Sequence, residues 1–163
     1  MWAQIPTAMR GALKTITVEN GANPTDAEWA VKYNRPDFAS AATGGNGQAT
    51  FWRGTQYLRE EFFLHEFGHV LGQTYSTKND MIPDDWAEAI AADNRQVTEY
   101  STAAPAEDFA ESFWIYTTLR NGGMPRLQDG PTTLAEFQAR WPKRGAILDA
   151  IFSGERRPAG KAT

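Results

Sequence analysis

Residues 64–72 read Leu64-His65-Glu66-Phe67-Gly68-His69-Val70-Leu71-Gly72. The chain of 163 residues has two histidines, and both fall in this stretch, four positions apart. On a helix that spacing puts both imidazoles on one face, a turn apart. The neighbouring positions suit a buried helix: Leu64, Phe67, Val70 and Leu71 are apolar, and Gly68 leaves room for close packing. Two ring nitrogens so placed can bind one tetrahedral zinc ion. Glu66 sits about 100° around the helix from His65, beside such a metal rather than on it, where it can take a proton from an attacking water. The pair also has a plainer reading, as part of an ordinary core or surface.

A zinc site needs a third protein ligand. In H-E-x-x-H-x-x-G-x-x-H a third histidine supplies it, but here the final position is Tyr75, so that pattern fails and Gly72 reads as a helix stop. A carboxylate on a second helix remains. The run Glu107-Asp108-Phe109-Ala110-Glu111 offers two glutamates on one helical face, with Asp108 on another face. Two like charges one turn apart are unfavourable unless a cation lies near them.

Working outward, Gln56–Leu71 carries apolar residues at helical spacing. Pro83-Asp84-Asp85-Trp86 opens another helix to about Asn94, with Asp84 as its cap. A third helix begins at Pro105 and stops at Asn121-Gly122-Gly123, and shorter helices cover 134–139 and 144–152. Before residue 54 the texture differs. Leu13–Val18 alternates and is β-branched, Trp29–Tyr33 reads as a further strand, and 38–42 and 49–53 flank a Gly-rich hairpin loop. The reading is α+β: a small, mostly antiparallel sheet with an edge strand, then helices, in one domain over 1–153 with a frayed tail over 154–163.

Composition narrows the function. Hydrophobic residues are 41% of the chain, enough for a core, and the net charge of −4 gives no global basic field for nucleic acid. Arg140, Lys143 and Arg144 read as a solvated helix face. With no cysteine, disulfides and thiolate chemistry are excluded. No stretch reaches the roughly 18 apolar residues of a membrane span. The first residues lack a basic region followed by an apolar one, so no signal peptide is expected. An intracellular protein, a mature form, or a piece of a longer secreted or particle-associated chain all fit.

His65-Glu66-Phe67-Gly68-His69, followed by Tyr100, Glu107 and Glu111, resembles the anthrax lethal factor family of zinc metallopeptidases, whose pattern the clostridial Pro-Pro endopeptidases share. The similarity covers most of residues 5–153 and is strongest at 58–72 and 98–115. It implies a zincin-like fold and a zinc-dependent endopeptidase. It implies further that His65, His69 and Glu107 ligate zinc, that Glu66 is the general base, and that Tyr100 steadies the oxyanion. Glu111 would orient a ligating histidine. The loop between the two ligand helices is short, and no exosite domain is visible. An ordinary packed tyrosine at Tyr100 and a surface residue at Glu111 are the bland readings. A polypeptide substrate is expected to add as a strand against the edge strand Ala49–Arg53, with Thr50, Phe51 and Trp52 in contact and the glycines before it mobile. The bland reading divides Phe51 and Trp52 between core and solvent. A monomer is expected. The rival function is a non-catalytic zinc-binding interaction domain of a larger toxin or virus-particle protein.

Overall fold

The computed structural model of the protein describes residues 2–32 and 34–159. Among these residues α1 (Thr7–Arg10), β1 (Thr15–Val18), α2 (Asp26–Lys32), β2 (Ala42–Gly45) and β3 (Gln48–Phe51) precede α3 (Glu60–Thr74), α4 (Trp86–Asp93), α5 (Pro105–Arg120), α6 (Leu134–Arg140) and α7 (Pro142–Ser153). A small sheet followed by helices makes the fold α+β. No helix among the described residues is long and apolar enough to cross a membrane.

The sheet departs from expectation in two ways. Its order is β1-β3-β2, so β3 is central rather than an edge. It is also mixed, because β1 runs parallel to β3 while β2 is antiparallel to it. The hairpin loop is short. Asn46 and Gly47, at φ 51° and 74°, close it as a two-residue turn of the kind that matches strand twist. Gly44 serves close approach instead of mobility, since a Cβ there would lie 2.4 Å from the Glu66 carbonyl oxygen. The missing side chain lets β2 lie directly on the helix that carries the histidines.

The stretch expected as a strand from Trp29 forms part of α2, with Asp26 and Glu28 in its first turn, where the helix dipole favours anions. Tyr33 lies outside the described residues. Asp26 also pairs with Arg53 at 2.7 Å and accepts the Ser40 N–H at 2.9 Å, tying α2 to the chain on either side of the hairpin.

Helix α3 is buried without a break from Phe63 to Gly72, between β2 on one side and α5 on the other. At Gly68 the crossing is tight: a Cβ would come within 2.9 Å of the Ala110 Cα on α5. Gly72 does not stop the helix, which runs on to Thr74. It too makes room, as a Cβ there would meet the Met81 carbonyl oxygen at 2.1 Å. Asp84 caps no helix; its carboxylate accepts from the Thr77 N–H and hydroxyl at 3.0 and 2.7 Å. The tail is tied down as far as it is described. The Ala159 N–H donates to the Thr74 carbonyl at 2.8 Å, and Arg156 pairs with Asp85 at 2.8 Å. Residues 160–163 lie outside the described residues.

The helices are held by an aromatic stack, in which Phe113 lies against both Phe67 and Phe152, and by one buried cation. Arg144, expected on a solvated face, is 1% exposed. From α7 it reaches Asp108 on α5 at 2.7 and 2.9 Å and Asp93 on α4 at 3.3 Å, while the Trp86 indole N–H donates to Asp108 at 3.0 Å. This clamp fixes the first turn of α5, one residue from Glu107.

Candidate metal centre

Two helices supply the site. His65, Glu66 and His69 project from the middle of α3, and Glu107 and Glu111 from the first two turns of α5. The glycine-mediated crossing brings the two sets together. His65 Nε2 and His69 Nε2 lie 3.1 Å apart, and Glu107 Oε2 lies 3.2 Å from the first and 3.3 Å from the second. Nitrogen and oxygen ligands about 2.0–2.1 Å from a tetrahedral ion stand roughly 3.3 Å from one another. The triangle has the size of a metal site, and these three residues can hold a metal ion.

Hydrogen bonding points the same way. His65 Nδ1 faces Glu111 Oε1 at 2.7 Å, so its N–H donates to that carboxylate and the Nε2 lone pair is turned toward Glu107. A lone pair and a carboxylate oxygen at 3.2 Å repel unless a cation joins them. Either a second proton on His65 or a metal ion meets that need. Burial works against the proton, but the hydrogen bonds to Glu107 and Glu111 outweigh it and lift the ring to about 10. For Glu107, burial opposes the charge, yet hydrogen bonds from His65 and His69 hold the carboxyl well below its usual range. A divalent ion between the three donors would meet the same need in exchange for that proton. His69 Nδ1 is buried without a partner among the described residues.

Glu66 is 6% exposed and is not one of the three donors. Burial pushes its carboxyl up, against the pull of His65 and His69. The Tyr100 ring lies beside His65, with ring centroids 5.8 Å apart. Both face a cavity of about 450 Å³ that also takes in Glu66; residues 38–42 form one wall, and Phe62 and Trp114 another.

Sequence reasoning missed the support beneath Tyr100. The Thr98 hydroxyl donates to Glu111 Oε2 at 2.8 Å and accepts the Ser101 N–H at 3.0 Å. The Ser101 hydroxyl in turn accepts the N–H groups of Val97 and Thr98, both at 3.2 Å. One small network thus holds His65, Glu111 and the turn bearing Tyr100. The signal was a threonine and a serine three apart, a spacing at which hydroxyls bond local backbone.

The expected substrate contacts are not brought to the site. Thr50, Phe51 and Trp52 do not line the cavity. Phe51 is fully buried in the core, and the Trp52 indole N–H donates to the Thr43 hydroxyl at 3.2 Å. The wall comes from the segment leading into β2. No protein-family model, curated protein or solved structure matches this chain, so the case for the site rests on its own geometry.

Proposed function

We propose that this chain is a zinc-dependent metalloendopeptidase of zincin-like fold, hydrolysing peptide bonds of an extended polypeptide. One observation carries the reading. A three-donor triangle of metal size reaches, through His65, a cavity that is also lined by a buried carboxylate, Glu66, and a tyrosine, Tyr100, neither of them a donor. A structural zinc staple needs four protein ligands and neither of those extra groups, whereas three ligands leave a position open, as in catalytic sites. Two imidazoles and a carboxylate suit zinc. The similarity of His65, Glu66, His69, Tyr100, Glu107 and Glu111 to the lethal factor pattern supports the same assignment.

When bound, zinc supplies a Lewis acid that makes water acidic near neutral pH and polarises a carbonyl. Glu66 takes the proton from the attacking water, holds it on its carboxylate, and passes it to the leaving amine. Burial raises its proton affinity for that task. Tyr100 donates a hydrogen bond from its hydroxyl to the carbonyl oxygen as charge develops there and keeps its proton. Glu111 keeps the proton on His65 Nδ1 and so keeps Nε2 a ligand. The substrate lies along β2, whose outer edge takes no partner strand among the described residues, whereas β3 is paired on both sides.

The test is hydrolysis of a library of linear octapeptides by the zinc-loaded chain. Cleavage is expected to disappear with a chelator and to return when zinc is restored. Tyr100→Phe is expected to lower kcat by about 10²- to 10³-fold with KM unchanged. No cleavage by a chain that holds zinc contradicts the reading. A raised KM with unchanged kcat in the tyrosine variant would make Tyr100 a ground-state contact.

A further inference from the structure

We propose that Arg126 binds a carboxylate of the substrate, so that the cleft selects polypeptides carrying an acidic group a short way from the bond attacked. The proposal rests on the peptidase reading and extends it to substrate class. Arg126 is the one lysine or arginine among the described residues lining the cavity that holds His65, Glu66 and Tyr100. It also borders an adjoining cavity of about 350 Å³, which shares Glu61, Trp114 and Arg126 with the first. A chain extending from the site into that second cavity passes its guanidinium.

The guanidinium has no hydrogen-bond or ion-pair partner among the described residues, whereas Arg53 and Arg144 are committed to Asp26 and to Asp93 and Asp108. Its backbone is anchored on both sides. The Gly123 N–H donates to the Thr118 carbonyl at 2.9 Å, Pro125 is buried, and Leu127 packs against the core. Arg126 is exposed to solvent, and its planar fork of donors fits a carboxylate in two bonds at once. Glu66 and Glu111 belong to the metal centre. The remaining anion in the cavity, Glu61, makes no ion pair with Arg126. Its charge repels a substrate acid on its own side and confines the carboxylate to the arginine.

The carboxylate has two possible sources, an aspartate or glutamate side chain or the substrate's C-terminus. Octapeptides of the same linear library separate them. Asp and Glu are compared with Asn and Gln at each position, with free and with amidated C-termini. kcat/KM is measured for the zinc-loaded chain, and Kd by calorimetry for the same peptides on zinc-loaded Glu66→Gln.

One side-chain position, or the terminus, is expected to favour the acid by about tenfold or more in both readouts. Arg126→Gln removes the difference, Arg126→Lys keeps part of it, and Glu61→Gln enlarges it. Equal values for acid and amide within about twofold, or a preference that survives in Arg126→Gln, overturns the proposal. Cleavage with no acid preference sinks this proposal and leaves the peptidase reading standing. Acid-selective binding through Arg126 with no cleavage does the reverse. Absence of both binding and cleavage overturns both.

Discussion

Glu66→Gln is expected to lower kcat/KM for peptide hydrolysis by about 10³-fold or more while the chain keeps its metal. Glutamine has the shape of glutamate and no proton acceptor, so the attacking water loses its base. The three residues of the metal triangle, His65, His69 and Glu107, are untouched by the change. Nor does the fold lose an ion pair among the described residues, since the carboxylates paired with His65 and His69 there are Glu107 and Glu111. Peptide turnover, zinc content and melting temperature, measured on one preparation, separate these effects. A variant that keeps more than a few per cent of parental turnover would remove Glu66 from the role of base. A variant that loses its zinc would make Glu66 a ligand instead.

Arg144→Met carries the largest expected loss of stability, about 3–5 kcal/mol. Methionine fills much of the volume but leaves the buried side chains of Asp93 and Asp108 without their cation. Burial already pushes the Asp108 carboxyl up against the pull of Arg144, and without the arginine that carboxyl takes up a proton or drags water into the core. Urea unfolding gives the size of the effect, and adding Asp108→Asn to Arg144→Met should recover part of it. Because Asp108 adjoins Glu107, the single variant should also bind zinc more weakly. A loss under about 1 kcal/mol would show that the clamp is dispensable.

The helical half of the molecule was legible because its signals are local. The apolar spacing around His65 set α3, Pro105 opened α5, and Asn121-Gly122-Gly123 ended it, each within a turn of the residues it governs. The metal triangle followed, since i, i+4 pairs on two helices need only one crossing to meet, and Gly68 against Ala110 provides it. The sheet was less legible. Its order turns on the parallel pairing of Thr15–Val18 with Gln48–Phe51, a contact across more than thirty residues between four-residue strands. Nothing local distinguishes a central strand of that length from an edge, which is why the local pattern alone offers Thr50, Phe51 and Trp52 to a substrate. Gly44 and Gly72 misled for a related reason. Each is glycine because a distant backbone comes too close for a Cβ, and a local reading sees a flexible loop or a stop. Arg144 looked solvated because its partners lie 36 and 51 residues away.

The account stands on the metal centre, and the direct measurement is zinc content with X-ray absorption on the gel-filtered chain. One zinc per chain is expected, with nitrogen and oxygen ligands at about 2.0–2.1 Å and the scattering of two imidazoles. His69→Ala and Glu107→Ala should each weaken its retention. A fully folded chain that takes up no zinc from zinc-supplemented buffer, or zinc held equally well by both variants, would contradict the account.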